Sequence, residues 1–153
     1  MFKACNPYAL LDVLQRVDAQ LRLPVDDVSQ CMRVLIVDSP STVLGAVVGG
    51  GGKGKFHGHA LLNSTGRWLK YLAVEHQLLV VMTSHTVQDG HHGLKTALGE
   101  SWQYVADVRV FVREGVGSAD AVEKTEHVME VVKSSCSAAG AVAKYRILPL
   151  GIV

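Results

Sequence analysis

The apolar residues at the start of the chain recur at helical spacing. Residues 6–24 read NPYALLDVLQRVDAQLRLP, with apolar side chains three or four positions apart. Asn6 is a residue type that caps helix N-termini, and Pro7 suits the first helical position, where no backbone N–H is needed. Pro24 cannot continue a helix. The pattern predicts an amphipathic helix that ends by Pro24.

Two later segments are short and almost entirely apolar. Residues 32–38 read MRVLIVD and residues 78–85 read LLVVMTSH. Such runs are typical of strands in a parallel sheet that is covered on both faces. Between them the sequence predicts a glycine-rich loop and a helix over about residues 58–77. We therefore expect a β-loop-α-β unit whose two strands are parallel neighbours or near neighbours.

The pattern changes after residue 85. A polar stretch, TVQDGHHGLKTALGESW, predicts a loop. Partial alternation at residues 107–114, 127–134 and 143–150, with Gly, Ser and Ala-rich turns between, predicts the strands of a meander. We expect an α/β fold with a mixed, mostly parallel sheet and antiparallel C-terminal strands. No domain boundary is visible over residues 1–153.

Composition and charge narrow the class of protein. At 153 residues and 48% hydrophobic content the chain can form one core without disulfides, and its three scattered cysteines suit a reducing compartment. We expect no membrane association, because the apolar run LLVVM is far shorter than the roughly 20 residues of a spanning helix. The net charge is +1, but no acidic residue occurs between Asp38 and Glu75. Any anion-binding surface should therefore be local.

The segment VVGGGGKGKF, residues 47–56, contains the G-x-x-x-x-G-K spacing of a phosphate-binding P-loop. Phe56 stands where a P-loop needs a Ser or Thr hydroxyl for Mg²⁺, and the motif follows Asp38 instead of preceding it. We interpret the segment as a mobile surface loop, either merely solvated or able to meet phosphates by charge. The side chains for such contacts are Lys53, Lys55, His57 and His59.

Polar residues follow both predicted parallel strands. Asp38 ends the first strand, and Thr83, Ser84 and His85 end the second. Ligands of open α/β sheets bind outside the carboxyl ends of strands, so Asp38 is a candidate for holding Mg²⁺ through water. The alternative is a turn or cap role for these residues.

Histidine pairs at residues 57 and 59 and at residues 91 and 92 raise a second hypothesis, a zinc-binding module. Neither pair has a cysteine or carboxylate at the spacing of a known zinc site, and solvated loop histidines are the simpler interpretation. No Ser/His/Asp or Cys/His arrangement has a supporting local motif.

Several motifs occur in an order that carries more information than any one of them. They read VLIVDS, the glycine and lysine loop, RWLKYLAVEHQ, LLVVMTSH, GLKTALGESW, VRVFVRE and VVKSS. In this order they resemble the RecA-type recombinase family of eukaryotic DNA repair, and within it the D branch of the Rad-type recombinase paralogues. The resemblance runs from NPYALLDVLQ to KYRILPLGIV, which is nearly the whole chain.

The resemblance implies a RecA-like P-loop NTPase core, present here as one partial domain over residues 1–153 that lacks its N-terminal part. Asp38 and Ser39 would occupy the Walker B position, and His85 the switch position between nucleotide and DNA loops. Residues 45–59 would match the first DNA-facing loop and residues 86–98 the second. The DNA-binding candidates are Lys53, Lys55, His57 and Arg67.

The chain also departs from the family. The family's Walker A P-loop and catalytic glutamate precede the segment with which this chain begins, and residues 49–55 do not replace them. Cys136 in KSSC stands where the family has a basic residue. ATP and Mg²⁺ are the implied cofactors, but Mg²⁺ bridges phosphates that a P-loop must already hold. We therefore expect this chain alone to bind Mg-ATP weakly and to be inactive as an ATPase.

The function that the resemblance implies is DNA repair by homologous recombination in the nucleus. The chain would contribute a Walker B segment and DNA-facing loops to an ATP-dependent assembly, with single-stranded DNA and other recombinase paralogue subunits as partners. The residues alone leave two alternatives open. They are a stand-alone phosphate-binding enzyme that uses residues 49–56 and a histidine-based metal-binding module.

Overall fold

A computed structural model describes residues 1–23, 31–48, 54–89, 93–114 and 126–153. The chain divides into two compact units, Met1–Val105 and Ala106–Val153. The sequence gives no sign of this division, because no Pro- or Gly-rich linker lies near residue 105. The single partial domain over residues 1–153 stays a prediction.

The first unit contains helices and two pairs of short strands. In chain order the described elements are α1 (Pro7–Leu21), β1 (Val34–Val37), α2 (Pro40–Val48), α3 (Gly54–Glu75), β2 (Leu79–Met82), β3 (Thr86–Asp89), β4 (Gly93–Thr96) and a 3₁₀ helix (Glu100–Tyr104). β1 and β2 pair in parallel, with Val34 opposite Leu79, whereas β3 and β4 form an antiparallel hairpin. The predicted parallel neighbours are confirmed.

α1 confirms the helix predicted from the N-terminal pattern. The Asn6 side chain caps it by accepting a hydrogen bond of 2.9 Å from the backbone N–H of Ala9, and Pro7 follows the cap. The buried residues on α1 have the spacing of one helical face. They are Pro7, Leu10, Leu14 and Val17.

The core of the first unit lies where the three helices meet one face of β1 and β2. Its buried side chains come mostly from the helices: Leu10, Leu14, Val17, Leu44, Leu62, Leu69, Leu72, Leu98 and Trp102. The strands contribute the side chains that pack against this cluster, namely Leu35, Val37, Val80 and Met82. The helices thereby fix the carboxyl ends of both strands.

The other face of β1 and β2 is uncovered among the described residues. Its side chains are 39% to 67% exposed, and they are Val34, Ile36, Leu79 and Val81. The prediction that both faces are covered is therefore wrong for the part of the chain that the structure describes. The apolar strand sequences suit cover on two sides, and the three helices supply it on one.

The second unit is an antiparallel sheet. Its described strands are β5 (Val108–Glu114), β6 (Glu126–Ser134), β7 (Val142–Leu148) and β8 (Gly151–Ile152), in the order β5-β6-β7-β8. A register shift in the pairing of β5 with β6 lies between Arg109 and Val110. The three predicted C-terminal strands are confirmed, and so is an α/β fold with parallel and antiparallel strands.

Two segments predicted as loops contain regular structure. Within residues 45–59, α2 continues to Val48 and α3 begins at Gly54, while residues 49–53 lie outside the described residues. Residues 86–98 contain the hairpin of β3 and β4. The α2 sequence, PSTVLGAVV, is poor in strong helix formers, so the helix was missed. Packing of the fully buried Leu44 against the core stabilises it instead.

Candidate functional site at the strand ends

Polar side chains meet at the carboxyl ends of β1 and β2. Because the strands are parallel and in register, Asp38 and Thr83 follow them side by side. The Thr83 N–H donates a hydrogen bond of 3.2 Å to the carbonyl of Val37, and the Thr83 hydroxyl donates one of 2.5 Å to Asp38 Oδ1. The structure thus brings together the two strand ends that the sequence predicts at one sheet edge.

A chain of hydroxyl groups connects Ser39 to His85. Ser39 Oγ lies 2.8 Å from Thr42 Oγ1, which in turn lies 3.5 Å from His85 Nε2. Ser39 Oγ also lies 3.2 Å from the Oγ of the buried Ser41, which accepts a hydrogen bond of 3.2 Å from the His85 N–H. Ser41 and Thr42 reach His85 because α2 begins at Pro40, directly after Ser39.

His85 also lies at the base of the β3–β4 hairpin. Its carbonyl accepts a hydrogen bond of 3.1 Å from the N–H of Ala97, which follows β4. His85 therefore contacts both the first turn of α2 and the hairpin. This is a physical connection between the Asp38 edge and residues 86–98.

The chemistry available at this edge is that of one carboxylate beside several hydroxyls. Asp38 is exposed, and its Oδ2 makes no hydrogen bond to the described residues. Such a carboxylate suits a Mg²⁺ ion that keeps most of its waters and bridges phosphates. In the described part of the chain, no group of three His, Cys, Asp or Glu side chains could hold a metal ion. Among the described residues, the edge thus offers a single carboxylate with neighbouring hydroxyls and not a complete metal site.

The glycine and lysine segment lacks the connection of a P-loop. A P-loop joins a strand to the helix that begins at its G-K. α3 does begin at Gly54, but α2 separates this segment from β1. Phe56 is exposed on α3 and offers no hydroxyl. The described residues therefore give no support to a stand-alone phosphate cradle.

The basic candidates are spread along α3. Near its start, His57 Nε2 is hydrogen-bonded to the hydroxyl of Tyr8 on α1. Arg67 is ten residues further on, which is about 15 Å along the helix axis. Lys53 and the side chain of Lys55 lie outside the described residues. The structure does not bring Arg67 together with His57.

Homology identifies the family. No family model matches the chain. It is 33% identical over 111 residues to the DNA repair protein RAD51 homolog 4 of Bos taurus, covering 72% of this chain and 33% of that protein. It is 32% identical over 121 residues to the same-named protein of Mus musculus, covering 77% and 36%. The chain is a homologue of the RAD51 homolog 4 proteins and belongs to the RecA-type recombinase family.

A more distant RAD51 homolog 4 protein and a solved structure agree with this family. The probable DNA repair protein RAD51 homolog 4 of Dictyostelium discoideum is 23% identical over 135 residues, or 84% of this chain and 37% of that protein. The crystal structure of the RadB recombinase matches with a TM-score of 0.61 and 18% identity, over 91% of this chain and 57% of that chain. The RecA-like fold class is confirmed.

The chain spans about a third of the length of these RAD51 homolog 4 proteins. Within its described residues no helix is both long enough and apolar enough to cross a lipid bilayer.

Proposed function

We propose that the chain acts in DNA repair by homologous recombination, in the nucleus, as a subunit of a recombinase paralogue assembly. The observation that carries the proposal is the strand-end edge, where Thr83 donates to Asp38 and hydroxyl groups link Ser39 to His85. The chain is homologous to proteins named for DNA repair. The edge lies at the carboxyl ends of parallel strands, where α/β proteins bind their ligands.

In this proposal Asp38 and Ser39 face a Mg-ATP molecule whose phosphates are held mainly by other parts of the assembly. Bound Mg-ATP would supply a positively charged metal ion for the Asp38 carboxylate to hold through water. The hydroxyls of Ser39 and Thr42 orient the imidazole of His85, and the His85 carbonyl holds Ala97 beside the hairpin. The chain's own contribution is thus a physical coupling between a nucleotide edge and a DNA-facing hairpin.

Single-stranded DNA is the proposed nucleic-acid partner. The segment with Lys53 and Lys55 belongs to a stretch without acidic residues, and sequence-independent binding needs such local positive charge. Two lysines neutralise few phosphates. Binding by this chain alone should therefore be weak, and other recombinase paralogue subunits would add contacts by multivalency.

The test changes Lys53 and Lys55 together to Ala in the assembled complex. Binding of an oligothymidine strand is then measured across a range of salt concentrations. We expect lower affinity and a salt slope flatter by up to about 1.4, because each neutralised phosphate of a single strand contributes about 0.7.

The matched control changes Lys3 and Arg16 to Ala, which removes the same charge elsewhere in the chain. The control should bind as the unmodified complex does. A double lysine variant with unchanged affinity and unchanged slope would refute the DNA role of this segment.

A further inference from the structure

The first unit also has a surface groove that is separate from the strand-end edge and shares no residue with it. This open groove of about 730 Å³ runs between α3 and the 3₁₀ helix, wholly within the first unit. The lining residues that matter here are Arg67, Lys70, Val74 and Glu75 from α3, with Tyr104 and Val105 opposite. The proposed function makes no use of this groove.

Gly66 is the reason that the two walls of the groove stand so close. A Cβ atom at this position would lie 2.9 Å from Cγ2 of Val105 and 3.7 Å from the ring of Trp102. Trp102 is buried in the core and anchors the 3₁₀ helix. The base of the groove is therefore apolar and fixed by core packing.

The wall formed by α3 is held by a second set of contacts. Tyr71 lines the groove, and its hydroxyl accepts a hydrogen bond from Arg22. Arg22 Nε in turn donates to Asp18 at 3.0 Å, and this hydrogen bond raises the pKa of the Arg22 guanidinium. A wall that is already ordered loses little conformational entropy when a ligand binds.

The charges in the groove define the chemistry of its ligand. Arg67 and Lys70 lie one helical turn apart, and α3 has no acidic residue before Glu75. Tyr104 and Val74 are exposed and present aromatic and apolar surface beside these cations. An arginine binds carboxylates with two parallel hydrogen bonds, and a tyrosine ring offers a large contact area at low entropic cost.

A peptide fits these features better than a nucleic acid does. Nucleic-acid backbones need a run of cations, whereas this groove offers Arg67 and Lys70 and ends at the carboxylate of Glu75. From Asn63 to Glu75 the groove follows α3 over twelve residue-to-residue steps, which is about 18 Å along the helix axis. That length matches five or six residues of extended peptide at about 3.3 Å each.

We propose that the groove binds a short acidic segment of a partner protein. Its carboxylates pair with Arg67 and Lys70, and a neighbouring apolar side chain lies against Val74 and Tyr104. The proposal is independent of the strand-end site, so either one can fail without the other.

The experiment uses the full chain and an array of fluorescein-labelled ten-residue peptides. Each peptide carries two adjacent aspartates at a varied distance from a leucine or phenylalanine, and a matched array has asparagine in place of aspartate. We expect anisotropy to detect binding of aspartate peptides, with the asparagine peptides weaker by about tenfold or more, because hydrogen bonds to charged groups are the strong ones.

Two groove variants and one control complete the test. Arg67→Glu with Lys70→Glu should weaken peptide binding by about tenfold or more, and Tyr104→Ala should weaken it while circular dichroism shows an unchanged fold. Lys3→Glu with Arg16→Glu makes the same charge change outside the groove and should leave binding intact.

If no aspartate peptide binds, or if the groove variants bind as the unmodified chain does, the proposal is wrong. If a ten-residue oligothymidine strand binds in a way that Arg67 and Lys70 control and the peptides do not bind, the groove is a nucleic-acid site instead.

Discussion

Gly58 is the residue that lets α2 and α3 touch. A Cβ atom at position 58 would lie 2.2 Å from the backbone carbonyl oxygen of Val47, which cannot move without shifting α2. Gly58→Ala should therefore lower the free energy of unfolding by about 1–3 kcal/mol, the usual cost of overpacking. Urea denaturation measures this change.

Gly45→Ala is the matched control for this prediction. Gly45 also lies in a helix, and a Cβ atom there would meet nothing within 4 Å. Its replacement should be neutral or should stabilise the protein by up to about 1 kcal/mol through helix propensity. Equal stability of the two alanine variants would show that the helices do not cross at Gly58 as described.

The sequence identifies some residues of the strand-end site and not others. Asp38 and His85 can be chosen as candidates from the sequence, because each lies in the polar residues that directly follow an apolar run. Ser41 and Thr42 were missed, because they contact His85 across more than forty positions of sequence. Such a contact depends on how α2 begins, and α2 itself was not predicted.

At the scale of elements, Asp18 joins the end of α1 to the end of α3. Its carboxylate accepts hydrogen bonds of 2.8 Å from His76 Nε2 and 3.0 Å from Arg22 Nε. Burial raises the pKa of Asp18, but the hydrogen bonds from His76 and Arg22 outweigh it and hold the pKa below its usual value. Folding therefore favours the charged form.

The sign of the pH dependence follows from this lowered pKa. The stability that Asp18 contributes is fully present above its unfolded pKa of 3.8 and is lost as the pH falls through the lower pKa of the folded state. At neutral pH, Asp18→Asn should reduce the free energy of unfolding by about 1.5–3 kcal/mol. That difference should shrink as the pH falls below the unfolded value.

The control on the same helix is Asp12→Asn. Asp12 pairs with Arg16 at 2.9 Å on the exposed side of α1. Removing an exposed pair should cost less than about 1 kcal/mol. An Asp18→Asn effect no larger than the control, or one that does not vary with pH, would contradict the joining role of Asp18.

The elements that the sequence predicts well are those with strong periodicity. α1 and the strands β1, β2 and β5–β7 follow from helical spacing, apolar runs and alternation. The hairpin of β3 and β4 did not follow, because its strands are four residues long and mostly polar. α2 did not follow either, since tertiary packing and not propensity stabilises it.

At the scale of the whole molecule, both units expose apolar strand residues. Ile36 and Leu79 are exposed in the first unit, and Val110 and Val112 in the second. Contiguous exposed apolar surface marks interaction sites on soluble proteins. This exposed apolar surface supports the proposal that the chain works within an assembly.

The most direct test of that account is the frequency of homologous repair at a chromosomal break. The measurement compares cells that lack the chain with the same cells after it is expressed again. We predict a lower repair frequency without the chain and recovery on re-expression, with less recovery from Asp38→Ala. An unchanged repair frequency in cells without the chain would contradict the proposed role in recombination.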